Sequence, residues 1–427
     1  MALNVSNRRA KTEGGERFSI LLAGAPQTPL FYPTVFAVEQ RRSAGLAANT
    51  LWRDGQALMP LLLWADRQGI DLEQRFGQGD FLTKVEVASY ARAVKRTLPR
   101  LRSLAAPARR ATPSRNAPTN LETFRSPHVP SEKGVATDWS SFRIWIAREY
   151  LSWLADKTSP YQALSDRAHQ ERTAAREQMR SALKSHMTGR GGRSKRKEGL
   201  SERQQARLLD VIKPDSPENP WVQPYVRVRN QCLITFLLGL GPRKGEALKQ
   251  RIAHVDMGRL EISIVRRPDD PDDDRRLEPN VKRVGRIVPM ERDVADQLSD
   301  YISDWRTALP GAEKTDFLFL TAQGRPMSHE AVEKVFTTLR NEFPELPDNL
   351  SSHILRHTWN DNYSVQMDKN RVNSTDEIRT RSYLMGWSQT SGTAAQYTQR
   401  STRNRAAEHS RAMQKKVVGN RKTNDNS

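Results

Sequence analysis

The sequence predicts a multidomain chain: a helical N-terminal half, then a mixed α/β C-terminal half that is mainly helical with a small antiparallel sheet. Three observations carry that expectation. Apolar residues recur at helical spacing in the first half, as in Leu51, Leu58, Leu61, Leu62 and Trp64. Alternation of apolar and polar residues, the period of a half-buried strand, enters only later, at Leu260, Ile262 and Ile264. Between the halves stands Gly189-Arg190-Gly191-Gly192-Arg193-Ser194-Lys195-Arg196-Lys197, whose glycines make a flexible joint. A length of 427 residues accommodates two or three domains.

Taken in order, residues 1–35 read as an irregular N-terminal arm with scattered glycines and prolines. Within it, Phe18 to Ala25 is apolar enough to mimic a short signal-peptide core, but the polar segment before it marks a local strand or helix. A helix is expected over Ala47 to Ala65, and another after Thr83, which can cap Val85 to Tyr90. From residue 92 to residue 116, Arg92, Lys95, Arg96, Arg100, Arg102, Arg109, Arg110 and Arg115 occur with no acid among them. This marks a basic insertion near 92–135, either laid against phosphates or a solvated linker. Trp139, Phe142, Trp145, Ile146, Tyr150, Trp153 and Leu154 have the spacing of a helix packed on a core. A charged helix from about Arg167 to Leu183 then closes a helical domain over residues 36–185.

The basic linker covers residues 186–200, and the second domain residues 201–400. Ser201 with Gln204 forms a capping box for a helix carrying Leu208, Leu209 and Ile212. An apolar helix follows from about Val226 to Leu240. After the strand at 260–264, Pro268 to Asp274 reads as an acidic loop, and Arg286-Ile287-Val288-Pro289 as a strand closed by proline. Phe317 to Leu320 leads into the turn Gln323-Gly324-Arg325-Pro326, and Ser328 can cap a helix through Phe336 and Leu339. Residues 401–427 are a basic tail.

Composition narrows the partners. Lys and Arg total 69 against 49 Asp and Glu, a net charge of +20 that suits a polyanion, nucleic acid foremost. The single cysteine, Cys232, excludes an internal disulfide framework and a cysteine zinc cluster, and its apolar run Cys232 to Leu238 places it in a core. No apolar stretch is long enough to span a bilayer, so the expectation is a cytoplasmic protein with no membrane partner.

Four separated segments carry chemistry in this order: Gly239-Leu240-Gly241-Pro242-Arg243-Lys244-Gly245-Glu246-Ala247-Leu248; Val281-Lys282-Arg283-Val284-Gly285-Arg286-Ile287-Val288-Pro289; His353-Ile354-Leu355-Arg356-His357; and Gly386-Trp387 on to Tyr397. Two arginines can clamp the non-bridging oxygens of a phosphodiester bidentately and stay charged at any physiological pH. His353 and His357 lie four apart, on one helix face. A zinc-protease reading needs Glu after the first His, where Ile354 stands, so no metal and no cofactor is expected.

Together the four segments resemble the tyrosine recombinase (phage integrase) family over residues 199 to 400. The resemblance implies catalytic roles for Arg243, Lys282, His353, Arg356, Trp387 and Tyr397. In it Tyr397 is the nucleophile that forms a 3′-phosphotyrosine, and Lys282 protonates the leaving 5′ oxygen. His353 serves proton transfer or phosphate hydrogen bonding, and Trp387 has one N–H donor and cannot be an acid or base. Glu246 and His357 support these groups from behind, with a helix-surface glutamate as the alternative for Glu246. Tyr363 and Tyr383 compete with Tyr397, but Tyr383 precedes Gly386-Trp387 where the family's nucleophile follows it. Some spacings differ from the family pattern: Lys282 to Arg286 is one residue shorter, Trp387 to Tyr397 one longer, and Arg356 to Tyr397 longer through Asp368 to Thr380.

The fold so implied is a helical N-terminal DNA-binding domain joined to a tyrosine-recombinase catalytic domain, closing as a clamp on double-stranded DNA at a specific site, with a homotetramer assembled on DNA. Arg190, Arg193, Lys195, Arg196 and Lys197 are expected to contact the backbone where the linker crosses the duplex, or else to form a solvated tether. Two other classes stay open. One is a DNA-binding regulator or accessory protein on the same fold. The other is a topoisomerase or telomere resolvase with the same chemistry.

Overall fold

The computed structural model describes residues 3–103, 134–158, 166–187, 198–279, 281, 285–388, 392–394, 406, 407 and 409–415. They fall into two compact units, the first within residues 1–193 together with 269–271, the second within 194–268 and 272–427.

The first unit opens with a sheet where irregular chain was expected. β1 (Val5–Lys11), β2 (Arg17–Ala23) and β3 (Thr28–Pro29) pair antiparallel in the order β1-β2-β3, with Val5 opposite Ala23 and Lys11 opposite Arg17. The strand signal is masked because the inward face of β2 is Arg17, Ser19, Leu21 and Ala23, half of it polar. β1 carries Arg8, Arg9 and Lys11, and its one buried residue is Val5. The N-terminal domain is therefore not purely helical.

Short α1 (Phe31–Phe36) leads to α2 (Ala48–Gln68), which packs against β1 and β2 on one side. α3 (Leu72–Gly77), α4 (Lys84–Ala93) and α5 (Leu98–Ser103) follow, so part of the basic stretch expected as a loop is helical. Leu98 and buried Leu101 give α5 its apolar side despite Arg100 and Arg102. Arg109, Arg110 and Arg115 lie outside the described residues. Thr83 caps α4 through a capping box with Glu86. α6 (Thr137–Lys157) packs on α2, and α7 (Asp166–Ser185) on α4 and α6. The core between them holds Leu61, Trp64, Tyr90, Ile146, Tyr150 and Leu154. The Tyr90 hydroxyl donates to the Arg143 carbonyl at 3.3 Å, so this buried polar tip is satisfied.

The second unit is mainly helical. α8 (Glu202–Val211) begins at the Ser201–Gln204 capping box. α9 (Pro224–Leu240) is the apolar helix that buries Cys232, Leu233, Phe236 and Leu237. α10 (Lys244–Leu248) is a single short turn. β4 (Val255–Asp256), β5 (Glu261–Ile264) and β6 (Arg286–Pro289) form an antiparallel sheet in that order, Ile262 opposite Val288. α11 (Arg292–Asp300) and α12 (His329–Glu342, capped by Ser328) follow, and α13 (Ser352–Lys369) packs on α9. α14 (Ser374–Met385) ends the run near β6. Among the described residues no helix is long and apolar enough to cross a membrane.

Phe336 is fully buried in this second core. Phe336→Ala removes a ring from a close-packed interior and should destabilise the unit by about 3–5 kcal/mol. Urea titration followed by tryptophan fluorescence checks it, as a lower midpoint with an unchanged slope.

Candidate active site

The turn carrying Arg243 is shaped by backbone and closed by its own glutamate. α9 ends at Gly241 with a φ of 63°, a left-handed cap that suits a residue without Cβ. A side chain here would also place Cβ 2.7 Å from the Trp359 ring. Arg243 then caps α10. Its backbone N–H donates to Glu246 Oε2 at 2.9 Å and its Nη1 to Glu246 Oε1 at 2.8 Å. The three-residue spacing is what returns one carboxylate to both groups of the same arginine.

Two further arginines converge on Glu246. Arg286 starts β6 in phase with Val288, so it points into the core. It donates from Nη2 to Glu246 Oε2 at 2.8 Å, from Nη1 to Oε1 at 3.3 Å, and from Nε to the Leu384 carbonyl at 2.7 Å. Arg356, on α13, donates to the Gly241 carbonyl at 2.5 Å and the Met385 carbonyl at 2.8 Å, with Nη1 4.0 Å from Glu246 Oε2. Three guanidinium charges face one carboxylate, a local net of two positive charges. The Arg243 side chain is 24% exposed, against 3% for Arg286 and 7% for Arg356, so Arg243 is the member of the cluster that meets solvent. Burial alone would raise the Glu246 carboxyl. Hydrogen bonding from Arg286 and the charges of Arg286, Arg243 and Arg356 outweigh it and bring it down from 4.5 to about 2.

α14 is seated by a buried arginine of its own. Arg381 donates to the Asn360 carbonyl at 2.8 Å and the Ser364 hydroxyl at 2.7 Å on α13, and pairs with Glu377. This fixes the end of α14, where the Leu384 and Met385 carbonyls receive Arg286 and Arg356. Gly386 follows with a φ of 59°, and a Cβ there would lie 2.7 Å from Arg286 Nη1. Close approach as well as turn geometry therefore requires glycine before Trp387. The Trp387 backbone N–H donates to the Ser382 carbonyl at 2.8 Å, and its ring lies 5.5 Å from the Arg356 guanidinium.

His353 is exposed and His357 half-buried, with Nε2 atoms 3.1 Å apart. In this arrangement one ring donates and the other accepts. The Tyr363 hydroxyl bonds Thr380 Oγ1 at 2.8 Å and its ring stacks on Trp359, while Tyr383 is 55% exposed on α14. The structure thus brings Arg243, Glu246, Arg356 and Trp387 together, and places His353 and His357 on the same helix as Arg356. Lys282, Tyr397 and the linker cations Arg190, Arg193, Lys195, Arg196 and Lys197 lie outside the described residues. Arg286 was not expected as a site residue. Its signal was an arginine in phase with the buried Val288 of a short strand.

Residues 200–404, a little under half of the chain, match the model of the phage integrase family. The tyrosine recombinase XerD of Ralstonia nicotianae is 26% identical over 163 residues, 38% of this chain and 45% of that protein, so the match spans less than half of the relative's length. Among solved structures, the XerA recombinase aligns with 63% of this chain and 82% of its own at 19% identity and a TM-score of 0.36. The Tn1549 transposon integrase in complex with circular intermediate DNA aligns over 61% and 79% at 18% identity and a TM-score of 0.39. The XerH recombinase bound to palindromic difH substrate aligns over 84% and 96% at 13% identity and a TM-score of 0.41.

The lowered Glu246 value has a pH consequence. A carboxylate whose folded value lies below its unfolded one stabilises the fold above the unfolded value, and that stability is lost as pH falls through the folded value. Falling from 4.5 to about 2 corresponds to roughly 3 kcal/mol at neutral pH. Glu246→Gln should lose stability on that scale at pH 7. The gap to the parent protein should close as pH falls from about 4.5 towards about 2, read by urea unfolding across that range.

Proposed function

We propose that this protein is a site-specific DNA recombinase that cuts and rejoins strands through a 3′-phosphotyrosine intermediate. The observation that carries the reading is the convergence of Arg243 and Arg356 on Glu246 within residues that match the phage integrase family. Two charged forks held in place before substrate arrives suit the extra negative charge that builds on a phosphodiester under attack.

In this reading the Tyr397 oxygen attacks the phosphorus and the bond to the 5′ oxygen breaks. Lys282 gives its proton to that oxygen. Arg243 and Arg356 hold the non-bridging oxygens, and the Trp387 indole N–H adds a donor. His353, exposed on the helix of Arg356, takes the phenolic proton or hydrogen-bonds the phosphate. Attack by a 5′ hydroxyl of the partner strand reverses the step, so the energy of the ester is conserved. Exchange between two duplexes needs four cleavages, one tyrosine each, hence four protomers on DNA. The setting is the cytoplasm, where the DNA is.

Tyr397→Phe should keep DNA binding and lose covalent protein–DNA adducts, because only the attacking oxygen is removed. The parent protein should form those adducts on DNA flanking its gene in excess chelator, since the arginines supply the charge that Mg²⁺ supplies elsewhere. Adducts that survive in the Tyr397→Phe variant, or that need a divalent ion, contradict the reading. Relaxation of plasmid lacking any target site would move it to a topoisomerase.

The linker gives a separate test. Neutralising Arg190, Arg193, Lys195, Arg196 and Lys197 together should weaken binding to target and random DNA alike. It should also flatten the salt dependence by about 0.9 for each phosphate that the variant no longer neutralises. An unchanged slope makes the segment a tether that does not touch DNA.

A further inference from the structure

All three nitrogens of the Arg286 guanidinium are turned inward. Nε donates to the Leu384 carbonyl at 2.7 Å, and the two Nη atoms donate to the two oxygens of Glu246 at 2.8 and 3.3 Å. With 3% exposure the side chain is sealed from any ligand that arrives through solvent. Its backbone is held on a rigid element, since Arg286 stands opposite Ile264 in the pairing of β5 with β6. Arg243 differs on each count. It lies on the turn between α9 and α10, and its side chain is 24% exposed.

Glu246, with no exposure, joins the two. Each of its oxygens accepts from both arginines. Oε1 accepts from Arg243 Nη1 at 2.8 Å and from Arg286 Nη1 at 3.3 Å. Oε2 accepts from the Arg243 backbone N–H at 2.9 Å and from Arg286 Nη2 at 2.8 Å. A fork that grips both oxygens fixes the plane of a carboxylate as well as its place. The direction in which the Arg243 side chain leaves its turn then follows from that plane.

We infer that Arg286 is a positioning residue for Arg243, acting through Glu246. The strand sets the Arg286 guanidinium, that guanidinium sets the carboxylate, and the carboxylate aims Arg243 at the scissile phosphate. The inference rests on the strand-cleavage reading above. It makes the shape of Arg286 matter as well as its charge. A lysine ammonium is a point donor on a flexible stem, and it cannot fork onto two oxygens while reaching a carbonyl. Arg286→Lys therefore keeps the charge of the buried cluster and removes the aim.

The test separates aim at a charged phosphate from general support of the fold. The duplex at which adducts form is made in two versions, with an ordinary phosphate or a methylphosphonate at the scissile position. The methyl group replaces one non-bridging oxygen, so less negative charge builds up under attack and a cation matters less. In Arg286→Lys, adduct formation at saturating DNA should fall about 10-fold or more on the phosphate duplex and stay within about threefold of the parent protein on the methylphosphonate duplex. Arg243→Ala should show the same contrast, more strongly. Thermal unfolding of each variant is measured alongside, and Arg286→Met serves if Arg286→Lys does not fold. Equal losses on both duplexes, or no loss on either, overturn the inference while leaving tyrosine cleavage intact. Arg243→Ala equally impaired on both also overturns it. If the parent protein forms adducts on the phosphate duplex alone, a crystal structure of Arg286→Lys decides. A displaced Arg243 guanidinium supports the inference, and one left in place beside Glu246 overturns it. A parent protein that forms no adduct on either duplex overturns the cleavage reading itself, and the inference with it.

Discussion

A carboxylate with no solvent contact stays ionised only if enough positive charge is fixed around it, and Glu246 meets that condition with three arginines. The dependence runs both ways. Without the carboxylate, three guanidiniums would crowd one small volume and repel each other. With it, they are held at defined distances and the cluster keeps a net positive charge. Arg286 contributes most because it grips both oxygens of Glu246 and is itself buried. Arg243 is then free of that structural duty on its outer side, and it is the one with solvent exposure.

The rest of the second unit can be understood as a means of bringing those groups to one place. α9 and α14 both end beside the cluster, and their last carbonyls, those of Gly241, Leu384 and Met385, accept from Arg356 and Arg286. Helix C-termini carry partial negative charge, so the cations sit where the backbone favours them. Glycine closes both helices, at Gly241 and Gly386, and a Cβ would strike the Trp359 ring at the first and the Arg286 guanidinium at the second. A site assembled from helix ends and one strand edge has few side chains that can be changed without moving another.

Much of this was legible in the sequence, for physical reasons that differ by residue. The cap at Thr83 and the capping box at Ser201 are local, set by neighbours within three residues, and both form. The core helix over Pro224–Leu240 announces itself by continuous apolar residues. Arg243, Glu246, Arg356 and Trp387 were singled out because their motifs are ordered and dense, and the structure places them side by side. The N-terminal sheet was missed because the inward face of β2 mixes Arg17 and Ser19 with Leu21 and Ala23, which leaves no apolar alternation to read. Arg286 and the buried charges Lys249, Asp273, Arg275 and Glu278 were missed for the opposite reason. Charged residues are taken as solvated until their partners are known, and those partners are distant in sequence, Arg286 from Glu246 by 40 positions and Lys249 from Glu278 by 29.

The account stands on one chemical claim, that a tyrosine beyond Trp387 becomes joined to DNA. The direct measurement is mass spectrometry of the nuclease- and protease-treated adduct formed on DNA flanking the gene. The account predicts a peptide carrying a nucleotide 3′-phosphate on Tyr397. The same mass on Tyr383 or Tyr363, or on a serine, or no linked peptide from a protein that binds and exchanges its DNA, would contradict it.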